Sequence, residues 1–306
     1  MKLAVGVGLA GLVTAMTASA AELEERTSRA YDAYAARAKQ MFLDRIRSGV
    51  PPEGVAPGVP GDAKPVVRAE GRDGIIEVPG GLVHHWVGAV FIENVSLQRV
   101  LDLSYGYSDY RTIYKPIIGS TLLDRSADTF HVWLRLKEGA AGVSAVLDIW
   151  LNVQYFYPDS RHAHSVSNAE EIREVRNAGQ TDEQRLSAGR DSGYLWRANS
   201  FTNFIEREGG VYVEMETLGL TRRFPPLLGW VLEPIAKRLG RKSVETSLEE
   251  FRTAVLTSNR RPAQKTARQP TRQRSADDSR PSTARGSRSR LVPRRSFEAR
   301  RAQARC

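Results

Sequence analysis

Two stretches near the middle of the chain alternate with a period of two, and that pattern limits the available folds more than any other feature. In Thr129–Lys137, the residues Phe130, Val132, Leu134 and Leu136 fall on one side, with His131, Trp133, Arg135 and Lys137 on the other. In Val143–Tyr157, the residues Leu147, Ile149, Leu151, Val153 and Tyr155 share a face opposite Asp148, Trp150, Asn152 and Gln154. Successive side chains of a strand point to opposite faces, so both stretches predict strands with one apolar and one polar side. Half-buried strands of this kind belong to antiparallel sheets; parallel strands read as unbroken apolar runs.

The rest of the body continues in the same style. Gly81–Val95 (GLVHHWVGAVFIENV) is rich in Val, Ile, Trp and Phe and predicts a long strand. Ser96 suits a helix N-cap, followed by the short amphipathic helix Leu97–Leu103 and a second helical piece, Ser108–Tyr114, closed by Lys115-Pro116. Further strands are expected at Ile117–Arg125, Arg161–Ser167 (extending toward Val175), Gly193–Arg207 and Gly210–Leu220. Pro225-Pro226 opens a final helix, with Leu228, Leu232, Ile235 and Leu239 as one stripe and Val244, Leu248, Phe251 and Val255 continuing it past Gly240.

Both ends of the chain differ from this body. Met1-Lys2, the uncharged apolar run Leu3–Met16 and the small residues Ala18-Ser19-Ala20 together read as a cleaved signal peptide over 1–20, hence an exported, periplasmic or secreted protein. Residues 21–48 then predict an N-terminal helix, and residues 49–65, with five prolines and four glycines, predict a linker. The whole chain carries 45 basic and 35 acidic side chains, but residues 259–306 hold 15 of the basic and only three of the acidic ones. The charge of +10 therefore belongs to an Arg-rich tail, too poor in apolar residues to order itself. The body is close to neutral, which excludes a basic nucleic-acid-binding domain. On an exported protein the tail suits an anionic membrane surface, at about 1 kcal/mol per basic residue near the surface. A dispensable solvated extension is the plainer alternative.

Strand, two short helices, six antiparallel strands and one long closing helix form an unusual order. With the opening strand Gly81–Val95 and the closing segment PPLLGWVLEPIAKRLGRKSVETSLEEFRTAV, residues 81–256 resemble the START-like (SRPBCC) superfamily, including its polyketide cyclase/dehydratase and lipid-transport-like members. The resemblance implies an α+β helix-grip fold over 66–258. A curved antiparallel sheet of about seven strands would wrap a long C-terminal helix and leave an apolar cavity between them. It implies a lipid or other apolar small molecule as partner and no cofactor, and it assigns no activity.

Placed on that fold, the expected cavity wall comprises Phe130, Val132, Leu134, Leu136, Leu147, Ile149, Leu151, Val153, Tyr155, Val213, Met215, Leu232, Ile235 and Leu239. The same residues would serve equally to pack a solid core. No catalytic signature is present. His84 and His85 are adjacent on a strand and point apart, while His162 and His164 supply only two ligands on one face, read as a solvated edge strand. Glu214 and Glu216 share a face that is expected to meet solvent, opposite Val213 and Met215. Trp133 and Trp150 fall on the outward face, where the N-terminal helix is the expected cover, through Tyr31 and Phe42. Arg197, Asn199, Asn203 and Phe201 share one parity, so the inner face of their strand stays unassigned. The single cysteine, Cys306, rules out an internal disulfide and any cysteine-built metal centre. The reading is an exported binding protein, with a cyclase- or hydrolase-type enzyme on the same fold, or an envelope interaction protein with a filled core, as alternatives.

Overall fold

A computed structural model describes residues 23–50, 64–71, 73–140, 143–186, 190–207, 209–223 and 226–259. Within them, the side chains of 139–140, 143–144, 226–239 and 259 are not described. The expected signal peptide, most of the linker, nearly all of the tail, and the Leu232, Ile235 and Leu239 side chains lie outside the described residues.

The elements run α1 (Glu25–Ser48), β1 (Val66–Ala69), β2 (Ile75–Val78), β3 (Gly81–Glu93), α2 (Leu97–Ser104), a 3-10 turn (Tyr107–Asp109) and α3 (Tyr110–Ile113). Then follow β4 (Ile117–Ser126), β5 (Thr129–Ala140), β6 (Val143–Asp159), β7 (His162–Arg176), β8 (Gln184–Arg185), β9 (Arg197–Arg207), β10 (Gly210–Arg222) and α4 (Pro226–Asn259). One antiparallel sheet runs β1-β3-β10-β9-β7-β6-β5-β4, with β2 on β3 and β8 on β7. That makes ten strands where about seven are expected. The additions β1, β2 and β8 have four residues or fewer, too short for alternation to be read.

The main core lies between the sheet and α4. Trp86, Val90 and Ile92 of β3 join Val213, Phe204, Val153, Phe130 and Leu134 from the following strands and meet Val244, Leu248, Phe251 and Val255 of α4. One apolar cluster thus runs from β3 round to β5 and takes in the helix, so the sheet curves about it. Two glycines permit the close approach. A Cβ on Gly88 would stand 2.5 Å from a Val244 methyl, and one on Gly240 would stand 2.5 Å from Trp86 Nε1.

A second core sits on the opposite, convex face. α1 has no internal glycine or proline, ends at a left-handed Gly49 (φ 63°), and buries Thr27, Tyr31, Ala35, Ala38 and Phe42 along one stripe. These pack on Val78, Val83, Val166, Phe201, Leu218 and Leu220. Tyr31 donates to Asn199 Oδ1 at 2.7 Å, and Thr27 donates to the Pro79 carbonyl at 2.6 Å. Phe201 lies under α1, which settles the parity of β9: Arg197, Asn199 and Asn203 belong to the convex side, and Ser200, Thr202 and Phe204 to the concave side.

Three expectations are overturned here. Glu214 and Glu216 are buried, at 7% and 1% exposure, because α1 covers the face that was expected to meet solvent. His162 and His164 are not on an edge, since β7 pairs with both β6 and β9. Trp133 and Trp150 do face outward as a directly opposed pair, but α1 packs on β2, β3, β10, β9 and β7 and is not their cover. Instead Arg135 lies over Trp133 and Arg185 over Trp150, while both arginines pair with the fully buried Asp148 carboxylate.

Candidate functional site

The concave side of the sheet encloses a cavity of about 240 Å³ under α2, α3 and α4. Its walls follow from strand parity. β5 contributes Leu134 and Leu136, β6 contributes Leu151, Val153 and Tyr155, and β10 contributes Val213 and Met215. Ile117 and Pro116 close the β4 side, and Phe251 of α4 faces them. Side chains i and i+2 of one strand share a face, so each strand lays two or three residues along the wall.

Two polar features interrupt this apolar lining. The first is a patch of hydroxyls. Ser165 pairs directly with Thr202 and Ser167 with Ser200 across β7 and β9, and all four line the cavity, with Ser243 and Ser247 one turn apart on α4. The second is a group of phenols. Tyr107 and Tyr155 hydroxyls lie 2.9 Å apart, and Tyr110 donates to the Ser104 carbonyl at 2.8 Å. The Tyr107 ring lies tilted against Tyr110 at 4.8 Å, and Tyr110 meets Tyr114 edge to face at 5.0 Å. Burial pushes the Tyr107, Tyr110, Tyr114 and Tyr155 hydroxyls well above the ordinary phenol value, so they act as neutral donors and acceptors. Glu138 stands at the rim, where desolvation by the neighbouring wall raises its carboxyl.

Of the residues that the sequence assigns to a cavity wall, Leu134, Leu136, Leu151, Val153, Tyr155, Val213 and Met215 line this space. Phe130 and Val132 pack in the core behind it, and Leu147 and Ile149 are buried on the same β6 face outside the lining. Sequence reasoning missed the serines, Thr202 and the tyrosines Tyr107, Tyr110 and Tyr114. Ser165 and Ser167 alternate with His164 and Val166, so neither side of β7 looks like the interior. That ambiguity is the trace of a strand covered on both faces.

A separate polar chain lies beneath α1. Tyr34 Oη is 2.8 Å from His85 Nδ1, and His85 Nε2 is 2.8 Å from Glu216 Oε1. Arg45 bonds Glu216 and, at 3.1 Å, Glu214. Burial raises the Glu214 carboxyl more than Arg45 lowers it. For Glu216 burial also acts upward, but the His85 hydrogen bond and the Arg45 charge outweigh it and hold the carboxyl below its ordinary value. This chain fastens α1 to the sheet. Among the described residues no cluster of three or more His, Cys, Asp or Glu side chains is suited to hold a metal ion, and no helix is long and apolar enough to cross a membrane.

A concave antiparallel sheet closed by two short helices and gripping one long C-terminal helix is the helix-grip arrangement. That is the architecture expected from the order of elements in the sequence. No protein-family model matches the chain, and no curated protein matches it in sequence. Among solved structures, the chain is similar to a STAR-related lipid transfer protein fragment from Xanthomonas axonopodis, with 14% identity over 60% of this chain and 99% of that one, at a TM-score of 0.40. It is also similar to a START superfamily protein from Mycobacterium smegmatis, with 13% identity over 57% and 98% of the two chains and a TM-score of 0.38. The Zhui aromatase/cyclase of a Streptomyces strain matches with 13% identity over 57% and 93%, at 0.34. These likenesses carry no activity to this chain.

Proposed function

We propose that this is an exported binding protein that holds a lipid or other apolar small molecule in the cavity between the sheet and α4. The observation that carries the reading is the cavity itself: about 240 Å³ walled by Leu134, Leu136, Val153, Val213, Met215 and Phe251 where a solid core would otherwise lie. Burial of apolar ligand surface supplies the drive, at about 25 cal/mol per Å² before the costs of association. The volume lies just under the range of roughly 300–1,000 Å³ that suits drug-sized ligands, which favours a compact molecule or one segment of a longer one. Native mass spectrometry and organic extraction of the purified mature protein test this. A copurifying apolar compound supports it; a protein that stays empty and takes up no apolar probe defeats it and favours an interaction protein.

Export rests on Met1-Lys2, the apolar run Leu3–Met16 and Ala18-Ser19-Ala20. A mature N-terminus at Ala21, read by intact mass, is the expected result. The basic tail is proposed to contact anionic membrane surface.

A cyclase- or hydrolase-type enzyme is the second reading, favoured by the phenols and by Glu138 on the lining. Phenols held neutral by burial supply hydrogen-bond donors rather than bases, and Glu138 is the one ionisable carboxyl lining the cavity among the described residues. That composition suits binding better than acid–base turnover.

A further inference from the structure

The hydroxyl patch carries an inference about which molecules the cavity accepts. Ser165, Ser167, Ser200 and Thr202 form two directly opposed pairs on neighbouring strands, and Ser243 and Ser247 face the same space from α4. Ser165 is only 6% exposed. None of the six hydroxyls hydrogen-bonds another protein group among the described residues, and none is among the residues holding some other interaction. Ser167, Ser200, Thr202 and Ser247 are half-buried and Ser243 is exposed, so these hydroxyls open onto the cavity with their hydrogen-bonding capacity free for a molecule that enters it.

The charges around the patch narrow the partner further. No Lys, Arg or His lines the cavity among the described residues, and the one ionisable carboxyl, Glu138, stands at the rim. A ligand carboxylate or phosphate would be buried without a counter-ion and would have to pass a like charge. Hydroxyls both donate and accept, and the Tyr107–Tyr155 pair adds further neutral groups at the same cavity.

We infer that the hydroxyl patch recognises an uncharged hydrogen-bonding group, so that the ligand is a neutral alcohol, ketone or amide on an apolar skeleton rather than a fatty acid or a phosphate-bearing lipid. This rests on the binding reading above and specifies its substrate class. Ser165, Ser167, Ser200 and Thr202 are then specificity-determining residues, and the apolar wall supplies the bulk of the affinity.

The test uses two matched sets of probes with the full-length mature protein at pH 7. One set is 2-naphthol, naphthalene and 2-naphthoate; the other is 1-octanol, octane and octanoate. Calorimetry and fluorescence titration are expected to rank the alcohol about tenfold tighter than the hydrocarbon, as one or two neutral hydrogen bonds provide. The carboxylate is expected to bind at least about 100-fold more weakly than the alcohol. The paired change Ser165→Ala with Thr202→Val should reduce alcohol affinity to that of the hydrocarbon and leave hydrocarbon affinity unchanged. It should also leave the melting temperature of the free protein nearly unchanged, because neither hydroxyl bonds another protein group among the described residues. Carboxylate binding as tight as alcohol binding overturns the inference while leaving the cavity reading intact. Unchanged alcohol affinity in the paired variant does the same. Failure of every probe in both sets defeats the binding reading itself.

Discussion

His85 and Glu216 meet between β3 and β10, Nε2 to Oε1 at 2.8 Å, with their side chains 6% and 2% exposed. Glu216 also receives Arg45 from the last turn of α1, so one buried carboxylate joins the sheet to the N-terminal helix. Leaving a buried charge without its partner is far more damaging than replacing the whole pair. Arg45→Met is therefore expected to destabilise the protein by about 3 kcal/mol, the lower end of the usual range because Arg45 is one-third exposed. Urea titration measures it, and a loss below about 0.5 kcal/mol, the scale of an exposed pair, would mean that the two glutamates are solvated.

Acid sensitivity follows from His84. Burial lowers its pKa to about 4, so the folded protein keeps the ring neutral where the unfolded chain, at about 6.5, takes a proton. The unfolded state binds more protons between those values, so stability falls as pH drops through that window, by about 3 kcal/mol in all. Glu216, held below its ordinary value, adds a further loss at lower pH, while Glu214, held above its own, acts in the opposite direction. His84→Gln retains a partner for Thr221 Oγ1 and should flatten stability between pH 6.5 and 4. Chemical denaturation across that range reads the slope; an unaltered slope would show that His84 is protonated in the fold.

The α1 interface is a core in its own right. Phe42 is fully buried against Phe201, with ring centroids 5.4 Å apart. Phe42→Ala is expected to cost about 3–5 kcal/mol, and Tyr31→Phe, which removes the bonds to Asn199 and to the Leu218 carbonyl, about 1 kcal/mol. Hydrogen exchange of α1 distinguishes local detachment of the helix from global unfolding.

Filling the cavity should separate binding from folding. Val213→Phe projects a ring into the lining from the middle of β10, at a packing cost of about 1–3 kcal/mol. Uptake of 2-naphthol is expected to fall about tenfold or more, since each methylene-sized overlap is worth about 0.8 kcal/mol. Undiminished uptake in a folded variant would place the ligand elsewhere.

The tail predicts a salt-sensitive affinity. The full chain should bind anionic vesicles at low ionic strength and release them as salt is raised, whereas a chain ending at Ser258 should not bind them and should melt at the same temperature. Equal binding by both chains would remove the tail from any role at a membrane surface.

The sheet was legible where one face is polar. In β5 and β6 the outer residues Arg135, Asp148 and Asn152 contrast with Leu134, Ile149 and Leu151, and period two is plain. The contrast disappears in β7, β9 and β10, where both faces are covered and Glu214, Glu216 and His164 lie buried on the side that their polarity would assign to solvent. Polarity there reports an internal ion network rather than water.

Local order of elements, the long closing helix and the confinement of positive charge to residues 259–306 were fixed by the linear chain. Each depends only on neighbouring residues: periodicity, capping at Ser96, or composition. Which face α1 covers, and which hydroxyls meet in the cavity, depends on side chains brought together from β7, β9 and α4, separated by dozens of residues. Ser165 and Thr202 become a site only because an antiparallel register sets them opposite each other, and that register arises from the whole sheet closing round one helix.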